Sequence, residues 1–155
     1  MLRLQAMPHT DFEEFRDLSV INYARALSRN LRINYREASQ LAVEELKTIL
    51  PRGFFSDDHY FYNLVTGEET QEVGKLWFYI NRKLKSAFLY DLMIFEAFQR
   101  RGYGKRALQE MEKELKAKGI TVIRLNVFND NRIARHLYLE RGYDNCNQIL
   151  QKFLD

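Results

Sequence analysis

Between Asp91 and Gly119 a hydrophobic, strand-like run ends near Phe95, a glycine turn follows as Gln99-Arg100-Arg101-Gly102-Tyr103-Gly104, and an amphipathic run begins at Lys105. In that run, Lys105 to Lys118, the residues Leu108, Met111 and Leu115 recur at helical spacing. A strand, a tight turn and a helix start in this order define a site as well as a fold. The first turn of a helix has N–H groups with no partner inside the helix and a partial positive charge, so an anion such as phosphate fits there. Gly102 and Gly104 carry no Cβ to hold such a group away from the backbone, and glycine also reaches backbone angles that other residues avoid. Arg100, Arg101, Lys105 and Arg106 add cations around the turn, with guanidinium groups able to grip phosphate through two hydrogen bonds. The plainer alternative is a surface turn followed by a solvated, basic helix start.

Two familiar phosphate loops are excluded. No G-x-x-x-x-G-K-[ST] occurs, and the G-x-G lacks a third glycine in register, so neither a P-loop nor a dinucleotide-binding turn is supported. The net charge of +3 is small and acids are interleaved with bases, which argues against a nucleic-acid partner. Cys146 is the sole cysteine, so an internal disulfide and a multi-cysteine zinc site are ruled out. His9, His59 and His136 lack ligand spacing, and no metal is expected. No apolar run follows Met1 and none approaches a membrane span, so a cytoplasmic protein without a membrane partner is expected. At 155 residues and 46% hydrophobic, the chain 1–155 reads as a single domain with its own core, monomeric or homodimeric.

From the start of the chain, Leu2 to Met7 alternates as a short strand ended by Pro8. Thr10-Asp11-Phe12-Glu13 has the form of a capping box, opening a helix that runs to about Leu27 with Phe12, Phe15 and Leu18 on one face. A second helix is expected from about Arg36 to Leu50, stopping before Pro51-Arg52-Gly53. His59 to Val65 and Val73 to Ile80 flank a polar turn containing Gly67, the pattern of an antiparallel hairpin. A third strand, Ser86 to Phe95, delivers the chain to the glycine turn. The helix Lys105 to Lys118, a strand Val122 to Phe128, a helix from Asn131 and a strand pair between Asp144 and Leu154 complete the order β-α-α-β-β-β-α-β-α-β. That order predicts a mixed α/β fold, a twisted mixed sheet flanked by helices.

Gln99, Gly102 and Gly104 match a Gln/Arg-x-x-Gly-x-Gly/Ala signature, and Asn131 to Tyr143 reads N-x-x-A-x-x-x-Y-x-x-x-G-Y, with Ala134, Tyr138 and Gly142 in place. Together, in this order and with a strand between them, the two elements resemble the GNAT family of acyl-CoA-dependent N-acyltransferases. The close resemblance covers about Phe88 to Tyr143. It implies the acyl-CoA N-acyltransferase fold, acetyl-CoA as cosubstrate without a metal, and transfer of an acetyl group to a primary amine. It also implies that two adjacent parallel strands splay to admit the pantetheine arm. On that resemblance Leu92, Met93 and Ile94 lie along the pantetheine. Gln99, Arg100, Arg101, Gly102, Tyr103, Gly104 and Lys105 surround the pyrophosphate, and Asn131 helps hold the cofactor arm. The chain departs from the family's usual pattern at Glu96, where proline is common, and at Arg100, where glycine often sits.

The implied chemistry is attack of a neutral amine on the thioester, made effectively unimolecular by positioning. Tyr138 matches the family's general-acid tyrosine, and a phenol with pKa ~10 is protonated at neutral pH and able to donate to the departing thiolate. The base is open: relatives with Glu on the preceding strand correspond here to Asn126, so Asp91, Glu96 or a water relay remain. Acceptor specificity is expected from the first two helices and from Phe54, Phe55, His59, Trp77 and Tyr79, which also fit a plain core. The rival to an enzyme is a non-catalytic CoA or acyl-CoA sensor on the same fold.

Overall fold

The computed structural model describes residues 1–67 and 71–155. The polar turn of the hairpin falls partly on residues 68–70, outside the described residues. Five strands form one sheet in the order β1-β2-β3-β4-β5, where β1 is Leu2–Ala6, β2 His59–Thr66, β3 Gln71–Asn81, β4 Ser86–Ile94 and β5 Val122–Leu125. The first four pair antiparallel and β4 pairs with β5 in parallel, so the sheet is mixed. The parallel step is the one bridged by a helix, as a parallel crossover requires.

The helices are α1 (Phe12–Leu31), α2 (Tyr35–Ile49), α3 (Tyr103–Ala117) and α4 (Arg132–Glu140). One face of the sheet is covered by α3: Ala107, Leu108, Met111 and Leu115 are buried with Leu64, Leu76, Phe78 and Leu89, while Leu137 and Tyr138 of α4 pack against the same cluster. On the other face Phe12 and Phe15 of α1 meet Phe61 and Trp77 in edge-on contacts. Helices α1 and α2 close on each other through Ala24, Leu27, Ala38 and Ala42, the three alanines allowing a tight crossing.

The capping box at Thr10 is not formed. His9–Asp11 makes a 3-10 turn, Asp11 caps α1 without a side-chain hydrogen bond, and its carboxylate instead accepts from Asn63 Nδ2 at 3.2 Å. Asn63 in turn accepts from the buried ammonium of Lys75 at 2.7 Å, and Lys75 pairs with Glu72 at 2.6 Å. A buried lysine has to be paired, and that demand takes the capping side chain away. The first helix also continues to Leu31, beyond the expected end near Leu27, and α2 is capped by Asn34, whose side chain accepts from the Glu37 N–H at 2.9 Å.

The largest departure is at the end of the chain. The strand pair expected between Asp144 and Leu154 is absent: among the described residues no strand follows α4, and residues 144–155 are all exposed. The mixed α/β class and the element order hold through α4; the last β does not form. Periodicity marks a segment fit for a sheet, but hydrogen bonds to a neighbour make it a strand.

Candidate active site

Strand β4 changes partners along its length. Its pairing with β3 extends to Ile94, whereas its pairing with β5 stops at Leu89↔Leu125. In the β3 register Trp77 faces Asp91 and Phe78 faces Leu89, so Tyr90 is an extra residue, a bulge at the point where β4 and β5 part. Beyond it, Leu92, Met93 and Ile94 have β3 on one side and, among the described residues, no strand on the other, and β5 ends at Leu125 rather than at Phe128. The result is a cleft whose β4 wall is backbone. Gly74 on β3 helps place that wall, because a Cβ there would lie 2.0 Å from the Met93 carbonyl oxygen.

The cleft leads into the glycine turn. Glu96–Phe98 forms a 3-10 turn, and the chain enters α3 at Tyr103 with Gly102 as N-cap at φ 80°. Arg100 is also left-handed, at φ 63°, which explains why glycine suits that position; here an arginine carries the strain. The two glycines differ in role. A Cβ on Gly102 would meet nothing within 4 Å, so that position is open and is set by its φ angle. At Gly104 a Cβ would come 3.0 Å from Leu137 Cδ2, so its bareness serves the approach of α4 to α3. Gln99 is tied to the turn itself, donating from Nε2 to the Ile94 carbonyl at 3.0 Å. Among the described residues Arg100, Arg101, Lys105 and Arg106 form no ion pair with a carboxylate. Arg101 leans toward Phe98 and Arg106 toward Tyr103. Free cations around a bare helix N-terminus suit a diphosphate.

Asp91 follows the bulge on β4, and its charge reaches Tyr138 of α4. Burial pushes the Asp91 carboxyl up to about 6, against the opposite pull of hydrogen bonds from Ser19 and from the Leu92 N–H. Ser19 Oγ, on α1, donates to Asp91 Oδ2 at 2.6 Å. Tyr138 is raised to about 12, by burial first and then by the charge of Asp91, so the phenol stays protonated at neutral pH. The Asp91 hydrogen bond goes to Ser19 rather than to Tyr138. Glu96 and Asn126 are exposed. Asn131 caps α4, accepting from the Ala134 N–H at 3.2 Å.

The aromatic residues expected around the acceptor are mostly packed. Trp77 is 4% exposed within the Phe12, Phe15 and Phe61 cluster, and its indole donates to His59 Nδ1 at 3.0 Å. Burial lowers the His59 pKa, which favours the neutral ring that this acceptor role requires. Phe55 is exposed. The open space on this face is instead a groove of about 610 Å³ between α1 and α2, lined by Phe12, Arg16, Val20, Val43, Leu46 and Leu50. Ser19, Leu137 and Gly74 have no motif to mark them; each matters only through a partner distant in sequence.

Comparison with known proteins decides the family. Residues 24–143 match the family model described as acetyltransferase (GNAT) family. The chain belongs to the GNAT acetyltransferases. Its class is that of an N-acetyltransferase, an acyltransferase. The GNAT chain is 31% identical over 153 residues to the uncharacterized N-acetyltransferase YdgE of Bacillus subtilis (strain 168), covering 97% of each. It superposes on the crystal structure of YycN from Bacillus subtilis with a TM-score of 0.93, 26% identity and 99% of each chain covered. A spermidine N-acetyltransferase from Vibrio cholerae, in complex with CoA and spermine, shares the GNAT fold at a TM-score of 0.69 and 19% identity, over 99% of this chain and 86% of that one. Among the described residues no group of three His, Cys, Asp or Glu side chains could hold a metal, and no helix is long and apolar enough to cross a membrane.

Proposed function

We propose that the protein transfers an acetyl group from acetyl-CoA to a primary amine by direct attack. The observation that carries this reading is the β4 edge left without a partner strand beyond Leu89 among the described residues, leading from Asp91, whose charge reaches Tyr138, to a bare, cation-ringed helix N-terminus. The residues suit CoA: Leu92, Met93 and Ile94 offer unpaired backbone to a pantetheine arm. The Gly102–Lys105 backbone with Arg100 and Arg101 offers donors to a pyrophosphate. Asn131 holds the start of α4 beside them. When bound, acetyl-CoA supplies a thioester carbonyl as the electrophile.

Asp91, titrating near 6, is ionised at neutral pH and accepts the proton that the amine must lose, directly or through one water. The amine nitrogen forms the new C–N bond as the C–S bond breaks. Tyr138 donates its phenolic proton to the leaving sulfur, and the burial that raises its pKa keeps that proton available. The proton taken by Asp91 restores the tyrosine through solvent, so the cycle balances.

The reading is tested by thermal shift with acetyl-CoA, free CoA, ATP and NADP, followed by release of free CoA thiol with an amine panel. Ligand at ~100 times its dissociation constant should stabilise the fold by about 2.7 kcal/mol. Stabilisation by the CoA species alone with amine-dependent thiol release is the expected result. Binding without release points to a sensor, and no shift removes the cosubstrate assignment.

A further inference from the structure

We infer that Glu112 of α3 is a positioning residue for Tyr138: through Arg141 and Tyr143 it fixes the end of α4 that carries the phenol. This role presupposes the proton donation proposed above for Tyr138, and it falls to a residue that no motif marks. Helix α4 needs such a hold. It has nine residues, none of them fully buried, of which Leu137 and Tyr138 pack on the core. A helix that short is marginal in water unless tertiary contacts fix it.

The C-terminal end of α4 is built around the Tyr138 backbone. Gly142, at φ 88°, turns the chain so that its N–H donates to the Leu139 carbonyl at 3.1 Å and the Tyr143 N–H donates to the Tyr138 carbonyl at 3.0 Å. These are the paired hydrogen bonds of a Schellman cap, and with them the Tyr143 ring stands edge-on to the Tyr138 ring at 5.7 Å. The Arg141 N–H reaches the same Tyr138 carbonyl, also at 3.0 Å. Arg141 and Tyr143 therefore both hold Tyr138, and Glu112 engages both of them. Glu112 Oε1 accepts from Arg141 Nη2 across 29 positions, the two side chains being 25% and 26% exposed. Burial first, and the charge of Glu112 next, push the Tyr143 phenol up, so its hydroxyl stays protonated beside that carboxylate. An ion pair this far out of water is no loose surface contact, because removing one partner leaves the other unpaired and partly dehydrated. Gly104, Leu108 and Glu112 follow at intervals of four and share one face of α3. Leu108 is in the core, Gly104 lies against Leu137, and Glu112 meets Arg141 one turn further along the chain. One helix thus starts at the glycine turn and fixes the tyrosine helix along its length. Tyr138 owes its own raised pKa to burial and to Asp91, so Glu112 acts on it by placement.

The test uses the full chain and two readouts. Hydrogen exchange needs no acceptor: Glu112→Ala should expose the amides of 138–143 while those of 105–117 stay protected. Unchanged protection of 138–143 would overturn the inference. In turnover with acetyl-CoA and an amine, Glu112→Ala should lower kcat by roughly 10- to 100-fold with the KM for acetyl-CoA near the parent's. Glu112→Gln, whose amide oxygen still accepts from Arg141, should recover part of that loss. In a Tyr138→Phe background the loss should vanish, because no proton is left to position. An equal loss in that background would overturn the inference and leave the acid role of Tyr138 standing. Full turnover in Tyr138→Phe alone would remove the acid role, and the inference with it. If Glu112→Ala does not fold, Glu112→Gln carries both measurements, with smaller effects in the same directions.

Discussion

Ser19 Oγ stands 2.6 Å from Asp91 Oδ2, a hydrogen bond that spans 72 positions of sequence and joins the middle of α1 to β4 at the cleft mouth. It is one of the influences holding the Asp91 carboxyl down against burial. Ser19→Ala removes that donor, so the Asp91 pKa rises further above the ordinary carboxylate range. The acid limb of the kcat/KM profile for the amine should move to higher pH, with little change in the Kd for CoA. An acid limb that stays in place would show that Asp91 is not the group being titrated.

Asp91 also links activity to stability. An unfolded-chain carboxyl titrates near its ordinary value of 3.8, the folded one near 6, so the raised group contributes nothing unfavourable below about pH 4, where both states bind the proton. As pH climbs through that interval the unfolded state ionises first and folding loses stability. Above it the full cost is on the order of 3 kcal/mol. Asp91→Asn should therefore raise the Tm at neutral pH, with a gain that vanishes in acid, while acetyl transfer collapses. A gain of equal size at both pH values would contradict the assigned titration.

Tyr138→Phe keeps the ring against the core and against Tyr143, whose centroid lies 5.7 Å away, and removes only the proton. CoA binding and melting temperature should stay close to the parent, while turnover falls by about 10²–10⁴-fold, the usual worth of a positioned acid. The loss should be smallest for acyl donors with a better leaving group. Full turnover in the phenylalanine variant would remove Tyr138 from the reaction.

The two glycines of the turn should fail differently. Gly102→Ala forces a side chain to φ 80°, costing about 1–2 kcal/mol, and should be read as lower stability together with weaker CoA binding. Gly104→Val instead drives a side chain toward Leu137 Cδ2 and pushes on the helix that carries Tyr138. It should lower kcat, and Leu137→Ala in the same chain should restore part of it. Independent, additive effects in that double-variant cycle would show that Gly104 does not act through α4.

Arg100 supplies a separate handle on cosubstrate affinity. Arg100→Gly relaxes the left-handed backbone at φ 63° but removes a cation from the turn. The expected outcome is a Tm no lower than the parent, with a raised KM for acetyl-CoA and a weaker salt dependence of that KM. An unchanged KM and salt dependence would place the guanidinium outside the cosubstrate's reach.

Local rules were enough for the elements and for the anchor of the site. Helical spacing of Leu108, Met111 and Leu115 marks α3, alternation marks β2 and β3, and the paired motifs from Gln99 and from Asn131 lead to the glycine turn and Tyr138, because those signals reside in neighbours a few residues apart. Tertiary structure decided what depends on partners far along the chain. Asp11 gives up its cap because Lys75 must be paired through Asn63. Trp77 is enclosed in the aromatic core, and Gly104 makes room for Leu137. Among the possible bases Asp91 alone is enclosed near Tyr138, since only the fold determines which carboxylate loses its water. Residues 144–155 have the composition of a strand, yet a strand exists only where another backbone accepts its hydrogen bonds, and among the described residues none does.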